Sequence, residues 1–455
     1  MNALLNISSI RKVYFIGIGG IGMSALARFF HHHGASVSGF DRAETELTKT
    51  LTAEGIFVHY DEDPSKCPTD ADIVVYTPAI PIDNKIIRSC HDRNVQLLKR
   101  SDVLQIISKA TYNICIAGTH GKTTTSAMVG HVLRDSGFGC NAFLGGISTN
   151  YKTNFWSDPN PVAVIEADEY DRSFLKLYPD VISISSMDPD HLDIYGTAEA
   201  MESAFIEFTG NLKENGLLLT KLGLNREADF CASHHLTYSM DNSSADVHVS
   251  NFNIKDGSYQ YDVAGPDWHI DGIQLNMGGR HNVENSLVAI AIAKHLGIAE
   301  EKIKLAISGF RGVKRRFEYI IKSEGKIFID DYAHHPEELR MLLTSLKELY
   351  PGQKCTIIFQ PHLYTRTRDL ASEFASSLDL ADHVLLLPIY PARELPIEGV
   401  SSATIAEKMK GNVTMVEMNE LDEYVAAVNA ELLITAGAGD IDKMIEPIKR
   451  SLLRA

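Results

Sequence analysis

No run of the sequence approaches the roughly 18 consecutive apolar residues that a membrane-spanning helix requires. Its first apolar piece, Val13-Tyr14-Phe15-Ile16-Gly17, is too short for the hydrophobic region of a secretory signal and reads as a strand. Both absences predict a cytoplasmic protein with no membrane insertion. Paired cysteines are lacking as well. Cys67, Cys90, Cys115, Cys140, Cys231 and Cys355 are scattered and none forms a CxxC, so they read as reduced, mostly buried thiols. Basic charge is scarce: 43 Lys and Arg against 59 Asp and Glu leave a formal net charge of −16. Nucleic acids are bound by basic surfaces, so that balance argues against them as partners. Small anionic substrates stay open, because local loops bind them against the global field. Short repeats and low-complexity segments are missing too, which excludes a solenoid.

What is present is a long chain of ordinary globular composition. Its 455 residues exceed one core and predict roughly two to four domains. Strand-like runs at 13–16, 37–40 and 73–77 alternate with helical spacing, as at 23–33. A second cycle starts at 113–117, with a helix over 124–135 and strands at 162–166, 181–185 and 217–220, then a β-rich stretch over 245–274. A third begins at 326–330 and continues at 356–360, 383–388, 413–416 and 432–435. This βαβ rhythm predicts α/β architecture with mostly parallel sheets covered on both faces. Polar joints at 108–111 and 309–314 divide it into three domains, 1–108, 109–314 and 315–455.

Gly17, Gly19 and Gly22 fit G-x-G-x-x-G after a strand, and Asp41 lies 19 residues beyond Gly22. Glycines let backbone approach a diphosphate, and a helix N-terminus favours its charge. Nothing in that logic demands nicotinamide; any nucleotide diphosphate satisfies it. The second cycle opens with Gly118-Thr119-His120-Gly121-Lys122-Thr123-Thr124 between a strand and a helix. Backbone N–H groups there cradle phosphates, Lys122 reaches the β/γ oxygens, and the Thr123 hydroxyl suits Mg²⁺. The usual loop has a glycine five residues before Gly121; here that position is Ile116, so this loop is shorter.

ATP chemistry needs a divalent cation with oxygen ligands. Glu166 ends an apolar strand in Glu166-Ala167-Asp168-Glu169, on the crevice side of a parallel sheet. His191, in Asp188-Pro189-Asp190-His191, is a second candidate ligand, with Asp188 or Asp190 to orient it. His31-His32-His33 reads instead as a solvated helix end.

Together these motifs resemble the Mur ligases of bacterial cell-wall synthesis. The resemblance covers essentially the whole chain and implies three domains, the first and last Rossmann-like and the middle one a P-loop ATPase. It extends through Gly279-Arg280-His281-Asn282-Val283-Glu284-Asn285, Lys314-Arg315-Arg316-Phe317-Glu318, Asp330-Asp331-Tyr332-Ala333-His334-His335-Pro336 and Gln360-Pro361-His362-Leu363-Tyr364-Thr365-Arg366-Thr367-Arg368. It implies a ligase that uses ATP and Mg²⁺, two ions in all, to join UDP-N-acetylmuramate to L-alanine through an acyl phosphate. It implies UDP-sugar binding at Gly19, Gly20, Ile21, Gly22, Asp41 and Thr77. It places ATP on 118–124 with His281, Asn282, Asn285, Arg316 and Asp331, and metal on Thr123, Glu166 and His191. Alanine falls to Tyr332, His362 and Arg366. Lys122, His191, Arg316 and His362 are the implied catalytic groups. Two positions depart from the family pattern. Leu363 stands where some alanine-adding members have Arg, which leaves a carboxylate contact to another cation such as Arg368. Ile206 stands where several members carry a carbamylated Lys, so that modification is not expected. The rival readings are a ligase that recycles a tripeptide onto the same UDP-sugar, an NAD-dependent dehydrogenase, and a non-catalytic nucleotide sensor.

Overall fold

A computed structural model describes residues 7–81, 83–189, 192–428 and 430–454. β1 (Lys12–Ile16) is buried on both sides, as the centre of a covered parallel sheet must be. Val13 and Phe15 join the cluster that holds Leu26 and Phe30 of the helix Ile21–His32. Tyr14 and Ile16 face Ile86, Ile87 and Cys90 of the helix Lys85–Asp92. With β2 (Ser36–Phe40), β3 (Phe57–His59), β4 (Ile73–Tyr76) and β5 (Leu97–Lys99), β1 makes a five-stranded sheet of order β3-β2-β1-β4-β5. All its pairs are parallel. Strand order reverses beside β1, and the glycine turn follows it, where such sheets bind ligands.

The second sheet has ten strands: β6 (Tyr112–Ala117), β7 (Asn141–Ser148), β8 (Thr153–Trp156), β9 (Val162–Glu166), β10 (Val181–Ile184), β11 (Leu217–Lys221), β12 (His234–Ser239), β13 (Val247–Lys255), β14 (Ser258–Ala264) and β15 (His269–Leu275). Its order is β15-β14-β13-β12-β11-β10-β6-β9-β7-β8. β6 pairs in parallel with both β9 and β10, so their C-terminal ends share one crest. β7 and β8 form an antiparallel pair that sequence periodicity did not reveal, interrupted by a register shift between Phe143 and Ser148.

The third sheet contains β16 (Glu318–Ser323), β17 (Lys326–Asp331), β18 (Cys355–Phe359), β19 (His383–Leu386), β20 (Val413–Met415) and β21 (Leu432–Ala436), in order β16-β17-β21-β18-β19-β20. The third cycle therefore starts one strand earlier than its apolar pattern predicts. β16 is an antiparallel edge, with residues exposed or half-buried except Ile321, so it shows no apolar run.

The fold is a three-domain α/β architecture. By packing, the described residues form two compact units, the first within 1–250, 262–271 and 284–307 and the second within 251–261, 272–283 and 308–455. The histidine triplet does end a helix, and His33 Nδ1 bonds Phe29 O at 2.8 Å. All six cysteines are free; five are buried and Cys231 is exposed. Among the described residues no helix is long and apolar enough to cross a membrane.

Candidate active site

The loop after β6 is shaped by what crowds it. Gly118 has φ +123°, and a Cβ there would lie 2.2 Å from Ser185 Oγ, beyond the end of β10. Thr119 Oγ1 meets Ser186 Oγ at 2.8 Å, and the His120 N–H donates to Ser186 Oγ at 3.0 Å. Gly121, at φ +81°, caps the helix Lys122–Asp135, and a Cβ on it would come 3.1 Å from Asn285 Oδ1. The four unpaired N–H groups of a helix start thus open onto the loop. Lys122 Nζ donates to Gly118 O at 2.8 Å and to Glu169 Oε1 at 2.7 Å. Its side chain is 14 % exposed and that of Glu169 1 %, so this is a buried ion pair.

Glu166 gathers donors at the end of β9. Thr123 Oγ1 donates to its Oε1 at 2.8 Å, and the Gly145 N–H to its Oε2 at 2.8 Å. Burial pushes its carboxyl above the usual range, against the pull of Thr123 and Lys122. Burial pushes Glu169 up as well, opposed by Lys122. Thr123 and Glu166 therefore form a hydroxyl–carboxylate oxygen pair of the kind hard cations prefer. His191 and Asp190 lie outside the described residues. Asp188 faces His120, with Oδ2 3.5 Å from Nε2 and both side chains largely exposed.

The first glycine turn closes on Asp41, whose Oδ2 accepts the Gly19 N–H at 2.7 Å. A Cβ on Gly17 would sit 3.4 Å from Thr77 Cγ2, so Thr77, just after β4, packs against the same turn. Gly20 caps the helix in which Ile21 is first. Gly22 lies inside that helix, and a Cβ there would meet Arg100 Nη1 at 2.7 Å.

In the second unit, Asp331 ends β17 and accepts N–H groups of Phe317 and Ala333, both at 2.7 Å. Burial raises its carboxyl above the usual range. The Arg315 and Arg316 guanidinium groups lie 5.2 and 5.3 Å from the Tyr332 ring centre. His362 stacks on Tyr390 and stands 5.9 Å from the His334 ring. Its Nδ1 and Arg366 Nη1 are buried without a hydrogen-bond partner. Burial lowers the His362 pKa, and His334 and Arg366 lower it further. The cation suggested to replace Leu363 is engaged elsewhere: Arg368 Nε donates to Asp369 at 2.7 Å on the surface. Of the three residues grouped on the nucleotide base, His281 and Asn282 fall in the second unit and Asn285 in the first.

Three family descriptions match in chain order: "Mur ligase family, catalytic domain" over 12–112, "Mur ligase middle domain" over 116–293 and "Mur ligase, glutamate ligase domain" over 315–441. The chain belongs to the Mur ligase family. It is 44 % identical to the UDP-N-acetylmuramate–L-alanine ligase of Flavobacterium johnsoniae, over 98 % of this chain and 99 % of that one. It is 45 % identical to the enzyme of that name from Parabacteroides distasonis, over 99 % of each. The crystal structure of the UDP-N-acetylmuramate-alanine ligase of Thermotoga maritima superposes with a TM-score of 0.81 at 29 % identity, covering 97 % of this chain and 98 % of that one. Membership in the Mur ligases retires the dehydrogenase reading of the first glycine turn.

Sequence reasoning missed several partners. Glu169 ends the acidic run after β9, and its ion partner Lys122 is 47 residues away in sequence. His334 likewise stands beside a residue, His362, that is 28 positions away in sequence. Gly145, Ser185 and Ser186 carried no signal beyond following or occupying strands.

Proposed function

We propose that this Mur ligase forms the amide bond between the lactyl carboxylate of UDP-N-acetylmuramate and the amino group of L-alanine. Cleavage of ATP to ADP and phosphate drives the bond, and the product feeds peptidoglycan synthesis in the cytoplasm. What carries the reading is the full-length likeness, at 44–45 % identity, to two ligases of that name. The site is consistent with it: a phosphate loop, an acidic crest and a glycine turn share one compact unit. We assign the UDP-sugar to residues 1–108, ATP to 109–314 and alanine to 315–455.

A carboxylate is a poor acyl donor because oxide is a poor leaving group. Transfer of the γ-phosphoryl group to a carboxylate oxygen yields an acyl phosphate and ADP. The alanine amine then attacks the acyl carbon, and the tetrahedral intermediate expels phosphate. The protein's work is positioning and charge neutralisation. Lys122 exchanges Glu169 for γ-phosphate oxygens, while the N–H groups of 118–124 hold the phosphates. Thr123 and Glu166 would hold Mg²⁺, with His191 proposed for a second ion on family grounds; the metal supplies neutralisation of phosphoryl charge when bound. Arg316 and Asp331 are assigned to the nucleotide along with His281, Asn282 and Asn285. Tyr332 and Arg366 receive alanine. His362, whose pKa burial lowers and whose Nδ1 is buried without a partner, takes the ammonium proton before attack.

Phosphate release with ATP, UDP-N-acetylmuramate and alanine, serine, glycine or a tripeptide tests the assignment. Release should depend on alanine. Preference for the tripeptide overturns the proposal in favour of the recycling ligase.

A further inference from the structure

Arg100 opens the helix Arg100–Ala110 in the joint before β6. Its side chain lies against the helix start that follows the glycine turn: a Cβ on Gly22 would meet Nη1 at 2.7 Å, Cδ at 3.1 Å and Cζ at 3.4 Å. The absent side chain at Gly22 is thus what lets a guanidinium rest on the first turn of the helix that follows the glycine loop. The same guanidinium faces Asp168 on the acidic crest, Nη2 to Oδ2 being 3.6 Å. That is an ion pair beyond hydrogen-bond range. Among the described residues Asp168 is its ion partner, and the Arg100 side chain remains 25 % exposed. Arg100, Glu166 and Asp168 also line one small cavity, floored by Leu104, Phe174 and Leu177. One cation therefore touches both the turn assigned to the sugar nucleotide and the cavity that contains the proposed metal carboxylate.

We infer that Arg100 binds an anionic oxygen of the UDP-sugar, which replaces Asp168 as its partner. The inference rests on the assignment of the UDP-sugar to the first glycine turn. A planar guanidinium presents paired N–H donors to a phosphate or carboxylate, where a lysine offers a point charge. The substrate's reacting carboxylate must reach the phosphoryl group near Glu166 while its diphosphate rests on residues 19–22. Arg100 spans that path. Its anion belongs either to the diphosphate or to the lactyl carboxylate, and both are oxyanions of the same molecule. Asp168 is the internal competitor that keeps the guanidinium aimed along the path.

Calorimetric titration of the full chain with UDP, UDP-N-acetylglucosamine and UDP-N-acetylmuramate tests this. Arg100→Gln should weaken UDP-N-acetylmuramate by roughly 10- to 100-fold, the range of a charge-assisted hydrogen bond, with ATP affinity retained. Equal losses for all three ligands identify the diphosphate as the bound anion. A loss confined to UDP-N-acetylmuramate, which alone of the three carries a carboxylate, identifies the lactyl group. Asp168→Asn removes the competitor and should tighten UDP-N-acetylmuramate by a few-fold, which a merely structural pair would not do. The inference is overturned if Arg100→Gln binds UDP-N-acetylmuramate within twofold of the parent, if it loses ATP to the same degree, or if Asp168→Asn does not tighten UDP-N-acetylmuramate. Failure of the unaltered chain to bind any UDP-sugar would instead overturn the underlying assignment.

Discussion

Lys122 has two duties that a single substitution confounds. It is the proposed γ-phosphate contact, and it also neutralises Glu169, which is 1 % exposed. Removing one partner of a buried pair costs about 3–5 kcal/mol, because the other charge is stranded. Lys122→Ala should therefore abolish ligation and also lower the melting temperature. The double variant Lys122→Ala/Glu169→Gln should regain much of the stability and none of the activity. Recovery of turnover in the double variant would remove Lys122 from the chemistry. His362 offers a second test at this scale. Burial, His334 and Arg366 favour its neutral form, so its pKa lies below the ordinary value of about 6.5. The base is then competent at neutral pH, and kcat/KM for alanine should fall only as pH drops through that lowered value. His334→Gln removes one of the depressing groups and should shift the acid limb to higher pH. A limb that stays in place counts against His362 as the base.

Elements explain why the loop demands glycine where it does. An alanine at Gly118 meets both a disfavoured φ and Ser185 Oγ, whereas one at Gly137, φ +77°, meets nothing within 4 Å. Gly118→Ala should destabilise by about 1–3 kcal/mol and weaken ATP, while Gly137→Ala bears the backbone strain alone. Thermal melts and ATP titration of the pair separate clash from strain. The same element shows what could be read without coordinates. The apolar strands ending at Ala117 and Glu166, and the glycines and Lys122 that follow β6, are local patterns, and they fall where the sequence places them. β3 and β5 have three residues each, too few to show a period. β16 carries Glu318 and Lys322 on an exposed edge and lacks the apolar signature of its neighbours. Glu169 beneath Lys122 and Arg100 across Gly22 are contacts between distant segments, so no local pattern announces them.

At the scale of the whole molecule, packing does not stop at the joint before residue 315. Within the second unit, Arg280 Nη1 donates to Glu348 at 2.9 Å and Lys322 Nζ to Gly257 O at 3.2 Å. A fragment of 315–455 forfeits both contacts and exposes the surface beneath them. It should be less stable than the same segment in the full chain by about 1–3 kcal/mol, read as faster hydrogen exchange in β17 and β18. Equal protection in the two would make that segment self-sufficient. The cysteines have a practical consequence at this scale. With Cys231 exposed and the other five buried, a thiol reagent should modify one site quickly in the native protein and all six after denaturation. The chain thus carries its own single attachment point for a fluorophore, and ligand-driven changes in the first unit become observable without engineering a cysteine-free background.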